Sequence, residues 1–350
     1  MPRILKPPAA GIDISDTSIK WLALEGQPGV MRVRTYGEEE LSPGIVVAGL
    51  VHDVPKLGAA LAEVKKKMGG VTAAHAALPE EAAYVFNMHV PDGSARDQIL
   101  NLIEFELQGR VPIAPSAAVY DFNTIVKHEE QGEEIGVVVF PRELAESYVA
   151  AFDAAGLQLL SLEVEARSIA RAVSGVHDEP ITLLVDFGRA RTGLAVLKGG
   201  VPIFTSTVAV GGDAMTHAVM DVLKVSEEDA RAFNNDQGLL PTEGARSPGL
   251  EALTGAASAL ADEVARLYHY WDTRRDEHGA RATPVEQVYL VGGASNLRGL
   301  DDYIAGRVQA STLQPDMWRN VCSFDDYIPP IDRRTSFQYG TAIGLALRGV

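Results

Sequence analysis

Two aspartates and a glycine pair, set far apart along the chain, carry the chemistry this sequence suggests. The first lies in Gly11-Ile12-Asp13-Ile14-Ser15-Asp16-Thr17-Ser18-Ile19-Lys20, where an apolar run ends on Asp13, turns through small polar residues and returns as Ile19-Lys20-Trp21-Leu22-Ala23-Leu24. Such a strand–turn–strand points backbone N–H groups and hydroxyls at a phosphate, and its aspartate can hold hydrated magnesium. The pattern returns at Asp186, with a buried strand over Ile181–Asp186, a turn at Phe187-Gly188-Arg189-Ala190-Arg191 and a strand over Thr192–Leu197. The echo reads as an internal repeat of supersecondary structure. Gly292-Gly293 then follows the strand Val288-Tyr289-Leu290-Val291. Glycines at a strand-to-helix junction let backbone approach a flat base and sugar, and a helix N-terminus favours phosphate. Singly, each element has a plain structural reading, as a strand end or a tight turn. In this order on a repeated chain, they predict two hairpins clasping β- and γ-phosphates and magnesium.

Composition narrows the function classes. The chain has 350 residues, enough for two domains with real cores, and is 46% hydrophobic and 22% charged, as in an ordinary globular protein. A net charge of −16 argues against nucleic acid as a partner and disfavours adhesion to anionic lipid through a basic patch. Cys322 is the only cysteine, so there is no internal disulfide and a reducing compartment fits. No run reaches the roughly 18 apolar residues of a membrane span, and Met1-Pro2-Arg3-Ile4-Leu5-Lys6-Pro7-Pro8 lacks the apolar core of a signal peptide. The expectation is a cytoplasmic protein that reaches a membrane only through a partner. The histidines are scattered, without a zinc motif, and no Walker-type or Gly-x-Ser-x-Gly motif occurs. Trp21, Trp271 and Trp318 read as packing residues.

The elements around these motifs follow from periodicity. Strands are predicted near 10–14, 18–25 and 29–36, then a helix over Pro55–Met68 burying Leu57, Leu61 and Val64, with Lys65-Lys66-Lys67 as a solvated end, then a strand over Val71–Leu78. Residues 84–160 form a strand–helix–strand–strand–helix–strand run. It begins with Tyr84–Val90 and a helix capped by Ser94 that carries Ile99, Leu102, Ile103 and Leu107. Strands follow over Ala118–Val126 and Ile135–Phe140 about a solvated loop at 129–134, then a helix over 142–155 and a strand over Leu157–Glu163. This run is read as a small α+β module inserted between flanking elements. Later come a strand over Val201–Val208, a helix from Gly211 to Leu223, a surface loop over Asn234–Gly249, a long helix over about 251–277 and a small-residue helix near the C-terminus.

As a set, these motifs resemble the actin-like ATPase superfamily, which includes actin, DnaK-type chaperones, sugar kinases, MreB and FtsA. The first hairpin is similar to its first phosphate loop, Asp186-Phe187-Gly188 to its second, and Leu290-Val291-Gly292-Gly293 to its adenosine motif. Glu165-Ala166-Arg167-Ser168-Ile169-Ala170 resembles the first connecting helix, and 340–348 the second. An α+β module at this point is found in FtsA and in the type IV pilus assembly PilM family, and the PilM family is the closer. Gly11-Ile12-Asp13-Ile14 with Ser18-Ile19-Lys20, Arg110-Val111-Pro112-Ile113 leading into Val119-Tyr120-Asp121-Phe122, and the loop from Gly292 to Leu300 are all similar to it.

The resemblance implies an α/β, actin-like two-lobed ATPase fold, with duplicated ribonuclease H-like halves and the α+β module inserted in the first. Residues 1–83, 84–160 (the module), 161–181 and 320–350 would serve lobe 1. Residues 182–319 would form lobe 2, with a nucleotide-contacting subdomain at about 213–285. It implies ATP or ADP bound by Asp13, Ser15, Asp16, Thr17, Ser18, Lys20, Asp186, Gly188, Thr192, Gly211, Gly212, Arg231, Asn234, Gly292, Gly293, Ala294 and Asn296, with Mg held through water by Asp13 and Asp186. Glu165 takes the place of the residue that orients the attacking water, with Glu163 as the alternative. The implied function is an adaptor in the inner-membrane platform of the type IV pilus. It would bind the N-terminal cytoplasmic peptide of a PilN-like single-pass membrane protein, with contacts to pilus assembly ATPases and self-association as further partners. The implied location is cytoplasmic, peripheral to the inner membrane.

Two departures bear on turnover. Ser15 stands where the family has glycine, adding a Cβ at the phosphate turn, and Ala230-Arg231-Ala232-Phe233-Asn234 replaces both the glutamate and the lysine of a ribose- and adenine-binding Ala-Glu-x-x-Lys. Nucleotide binding without efficient hydrolysis is the expectation. Three other readings are weighed. A sugar or acetate kinase lacks convincing substrate carboxylates here and has the wrong module. An FtsA-like filament former ends in an amphipathic membrane helix, whereas this sequence stops at Arg348-Gly349-Val350. A type II secretion relative continues into a membrane span.

Overall fold

Strand pairing gives two sheets of the same design. The computed structural model of the chain describes residues 8–27, 30–128, 132–175, 180–240, 247–275 and 281–349. In the first half β1 (Ala9–Ile14), β2 (Ser18–Gln27) and β3 (Val30–Glu40) form an antiparallel meander. A short hairpin, β4 (Val46–Val47) and β5 (Leu50–Val51), leads to α1 (Val54–Lys67) and β6 (Ala73–Leu78). The sheet runs β10-β6-β1-β2-β3, with β6 parallel to β1 and β10 (Gln158–Val164) parallel to β6. In the second half β11 (Thr182–Phe187), β12 (Thr192–Lys198), β13 (Val201–Val208), β14 (Gln287–Val291) and β15 (Ser311–Leu313) run β13-β12-β11-β14-β15 with the same pattern of directions. The repeat expected from the two aspartate turns is thus present as a repeat of whole sheets.

Helices cover both sheets where their apolar faces require it. Asp53 caps α1 by accepting the Lys56 N–H at 3.0 Å, and Leu57, Leu61 and Val64 are buried as their spacing predicts. Its lysine end makes surface pairs, Lys66 with Glu63 and Lys67 with Glu39. In the second half α5 (Gly212–Leu223), α6 (Glu227–Asp236), α7 (Pro248–Thr273) and α8 (Leu300–Val308) enclose a core that includes Leu253, Leu260, Val264 and Trp271. Part of the loop expected over Asn234–Gly249 is the last turn of α6 and the start of α7, and residues 241–246 lie outside the described residues.

Between the sheets run α4 (Glu165–Val173) and, after α9 (Arg333–Ser336), α10 (Gly340–Ala346). Small residues let them cross closely. A Cβ on Gly344 would overlap the Ser168 carbonyl oxygen. Around them Ala166, Ile169, Trp318, Phe337 and Ile343 form a core that also takes in Leu22 from the first sheet and Leu184 and Val291 from the second.

The 84–160 run is divided between two sheets. β7 (Tyr84–Val90), α2 (Arg96–Arg110), β8 (Ala118–His128) and β9 (Gly132–Pro141) form a three-stranded β7-β9-β8 sheet under one helix, with Ile99, Ile103, Leu107, Ile135, Val137 and Val139 at its centre. The helix α3 (Arg142–Ala154) instead packs Leu144, Tyr148 and Phe152 into the core of the first sheet, which β10 completes. Three local expectations differ from the structure. Ala95, not Ser94, stands at the cap position before α2, where the Gln98 side chain accepts the Ala95 N–H at 2.9 Å, while the Ser94 hydroxyl donates to the Pro91 carbonyl. Leu102 is exposed, since Ile99, Ile103 and Leu107 already supply the buried stripe. Of the acidic loop, residues 129–131 lie outside the described residues, and Glu133 and Glu134 are buried in β9. Glu134 accepts from Asn87 at 2.7 Å and pairs with Lys198 of β12 at 2.6 Å, which ties the small sheet to the second large one.

Candidate functional site

Asp13 and Asp186 occupy corresponding rungs, Asp13 opposite Lys20 across β1–β2 and Asp186 opposite Gly193 across β11–β12. Both sit at the carboxyl ends of central strands, where open α/β sheets take their ligands. Their turns line a cleft of about 1000 Å³ between the sheets. Its walls include Asp13, Ser15, Asp16, Thr17, Ser18, Lys20, Glu165, Asp186, Gly188, Gly212, Arg231, Asn234, Gly292, Gly293, Ala294 and Asn296, so residues named from distant segments meet in one place. Thr192 and Gly211 do not face it. The Thr192 hydroxyl is buried and donates to the Val210 carbonyl at 2.6 Å, and Gly211 lies beneath the second turn, where a Cβ would overlap the Arg189 carbonyl oxygen. These two brace the turn from behind.

In the first turn the Ser15 hydroxyl faces inward, accepting the Ser18 N–H at 3.1 Å and the Thr17 N–H at 3.4 Å and donating to the Ser18 carbonyl at 3.0 Å. Serine causes no backbone strain here, because the non-glycine residues with positive φ are Ala48, Lys224 and Gln309. The hydroxyl thus occupies two N–H groups of the turn that a bound anion could otherwise use. The Asp16 carboxylate accepts the N–H groups of Ala48 and Gly49, both at 3.0 Å, and so holds the β4–β5 turn at the cleft rim. Lys20 donates to the Ser18 hydroxyl at 2.8 Å and pairs with Glu38 at 3.0 Å.

The second turn contributes Arg189 and Arg191. Arg189 pairs with Asp213 at 3.1 Å, and Arg231 of α6 reaches the same carboxylate at 2.9 Å and Glu227 at 2.7 Å. Asn234 is buried against Thr216, and its side-chain oxygen finds no hydrogen-bond donor. Gly292 has φ 86°, and a Cβ there would overlap an Asp186 carboxylate oxygen, so only glycine lets the β14 turn lie against the second hairpin. Ser295 closes that turn by donating to the Gly292 carbonyl at 2.7 Å, and Asn296 ties it to Arg334 at 2.8 Å.

The cleft floor gathers carboxyl groups, Glu80 buried and Asp13, Glu165 and Asp186 half-buried. Burial, then the charge of Asp13, pushes Asp186 up to about 7, with Lys20 pulling the other way. Burial also raises Asp13. Glu165, the first residue of α4, is pushed well above the usual range by burial and then by Asp13, Glu80, Glu81 and Asp186. Glu80 is raised well above the usual range by burial and then by Asp186, although it accepts the Ala166 N–H at 2.9 Å. Glu163 points elsewhere. Burial raises it, but the hydrogen bonds and charge of Arg171 and the charge of Arg348 outweigh this and hold it low. Of the two glutamates considered for the water-orienting place, Glu165 is the one on the cleft wall.

Among the described residues no group of His, Cys, Asp and Glu is arranged to hold a metal directly. The oxygen donors of Asp13 and Asp186 suit magnesium bound through water and ligand oxygens, the usual habit of that ion. Sequence reasoning missed Glu80, Glu81 and Arg191, all on the cleft wall. The signal was available for the glutamates. They follow β6, which runs parallel to β1 with Ile12 beside Ala76, so its carboxyl end must open beside Asp13.

The sequence model of a family described as type IV pilus assembly protein PilM matches residues 11–350. The chain belongs to that family. Among solved structures, a PilM–PilN type IV pilus biogenesis complex contains a chain 21% identical, with 98% of each chain covered and a TM-score of 0.78. MreB5 of Spiroplasma citri bound to ADP is 13% identical, covering 98% of this chain and 96% of that one, with a TM-score of 0.59. The ethanolamine utilization protein EutJ from Carboxydothermus hydrogenoformans is 17% identical, covering 98% and 90%, with a TM-score of 0.57. The fold of this PilM-family chain is therefore the actin-like one that the resemblance implied. No helix among the described residues is long and apolar enough to cross a membrane.

Proposed function

We propose that this PilM-family protein is a nucleotide-responsive adaptor of the type IV pilus inner-membrane platform. The observation that carries the reading is the convergence of the two aspartate hairpins and the Gly292-Gly293 turn on one cleft. ATP or ADP binds there, its phosphates between the turns after Asp13 and Asp186 and its nucleoside toward Gly292, Gly293, Ala294, Arg231 and Asn234. Magnesium, held through water by Asp13 and Asp186, neutralises charge on the phosphates. Asn234 supports this placement, since its buried oxygen is an acceptor still in need of a donor such as an exocyclic amino group. Glu165 orients water in whatever turnover occurs, and the Ser15 hydroxyl, by competing for N–H groups of the phosphate turn, disfavours efficient hydrolysis.

The partner is the N-terminal cytoplasmic peptide of a PilN-like single-pass membrane protein. This assignment draws on the likeness to the PilM–PilN complex. The peptide lies in a groove between the inserted module, whose own core spans β7 to β9, and the rest of lobe 1, with residues 182–319 as lobe 2. That contact places the protein at the cytoplasmic face of the inner membrane without lipid contacts of its own. Contacts to pilus assembly ATPases and self-association are further roles consistent with a platform component.

Calorimetric titration of Mg·ATP and Mg·ADP into wild type and Asp13→Ala tests the cleft, with binding by wild type and its loss in the variant or after EDTA as the expected result. Equal binding by both proteins, or none by wild type, sinks the nucleotide reading. A cognate PilN-like N-terminal peptide with no measurable affinity sinks the adaptor reading independently.

A further inference from the structure

Among the described residues four cations face the cleft, and three of them are engaged within their own lobe. Lys20 is held by Ser18 and Glu38 of the first sheet, and Arg189 and Arg231 share Asp213 of α5. Arg191 is different. It stands on the turn between β11 and β12, yet its guanidinium pairs across the cleft with Asp16 of the first hairpin at 2.5 Å and with Glu81 of the Glu80–Ala82 turn. Arg191 therefore joins the two turns between which, in the reading above, the phosphates lie.

The clasp is placed for exchange. Its three side chains are 23–25% exposed, so the guanidinium stays open to a ligand in the cleft. A guanidinium presents a rigid fork of donors that matches phosphate oxygens as well as carboxylates, and a terminal phosphate carries more charge than either carboxylate. Apart from the magnesium assigned above to Asp13 and Asp186, the carboxyl groups around the clasp bring no positive charge to such a phosphate, and the guanidinium of Arg191 does.

We propose that Arg191 is the residue that distinguishes a nucleoside triphosphate from a diphosphate. Without a terminal phosphate it holds the lobes together through Asp16 and Glu81. The terminal phosphate draws it away from both and releases the Glu80–Ala82 turn, which leads directly into the first strand of the small sheet. The proposal rests on nucleotide occupying this cleft.

Mg·ATP and Mg·ADP are titrated calorimetrically into wild type, Arg191→Ala, Arg191→Lys and Glu81→Gln. Arg191→Ala should lose about 10- to 100-fold in ATP affinity, the worth of a charged hydrogen-bond pair, while ADP affinity changes little. Arg191→Lys, which keeps the charge and loses the fork, should fall between. Glu81→Gln, which weakens the clasp and spares the arginine, should bind ATP more tightly by a few-fold, and it carries the test if Arg191→Ala does not fold. An unchanged ATP-to-ADP ratio in these variants, or equal loss of both ligands, overturns the role of Arg191 with the nucleotide reading intact. No binding by wild type overturns both.

Discussion

Replacing Ser15 by glycine should tighten nucleotide binding, and the size of the effect follows from the turn. The serine hydroxyl accepts one N–H at 3.1 Å and a second, weaker one at 3.4 Å. A phosphate using those groups must first displace the hydroxyl, forfeiting about 1–2 kcal/mol of net hydrogen bonding. Removing the hydroxyl should thus raise Mg·ATP affinity about 5- to 30-fold. Glycine also loosens the free turn, lowering stability by roughly 0.5–1 kcal/mol and offsetting part of the gain. Ser15→Ala separates the causes, since it deletes the hydroxyl and keeps the Cβ. Titration calorimetry on the three proteins, with thermal melts for stability, should show alanine and glycine both tighter than serine. If glycine binds tightly and alanine binds as wild type does, the Cβ is the obstacle and the hydroxyl argument is refuted.

Two further outcomes follow from the site. In the native state Glu80 is raised above the unfolded value, as is Asp186 at about 7, so the folded protein binds more protons than the unfolded chain between the ordinary carboxylate range and these raised values. Their contribution is complete at low pH and lost as pH rises through the native values. The melting temperature of the ligand-free protein should therefore fall as pH rises from about 4 to about 7, and Glu80→Gln should flatten that slope; an unaltered slope in the variant counts against the argument. At the rim, Ala48 adopts φ 50° beside Gly49 at φ 72°, a turn that normally uses residues tolerant of positive φ. Ala48→Gly should stabilise the protein by roughly 0.5–1 kcal/mol in urea unfolding, with Asp16 still accepting both turn N–H groups, and a lower midpoint would show that the alanine bears no strain.

The parts of the site that lie within one strand–turn–strand were legible, because alternation of buried positions and a polar turn are local properties. Asp13, Asp186 and the Gly292 turn are of this kind. The clasp is not local. Arg191 meets Asp16 and Glu81 only after two sheets have closed on one another, and no spacing in the chain reports that closure. Glu134 misled for another reason. An acidic run ordinarily marks solvent, but here two members are buried, Glu134 satisfied by Lys198 and Asn87 and Glu133 by Lys127. The fate of α3 was equally hidden, since an amphipathic helix declares which face it buries and not which sheet receives it.

The small sheet has attachments on both sides of the cleft, and this bears on how a ligand there could be felt at a distance. On one side it continues directly from the Glu80–Ala82 turn, whose carboxylates touch α4 and Arg191. On the other, Glu134 is locked to Lys198 of the second sheet, Arg167 of α4 donates to Asn123 at 2.9 Å and to the Gly200 carbonyl at 2.9 Å, and a Cβ on Gly136 would come within 3.0 Å of the Pro202 carbonyl. Any rotation of one large sheet against the other must then shear one of these attachments. Close packing resists gradual deformation, so the small sheet is expected to shift between discrete positions. A partner bound between it and lobe 1 would meet a surface whose shape depends on which attachment has yielded, and reciprocity requires that partner to alter the cleft's affinity for its ligand by the same factor.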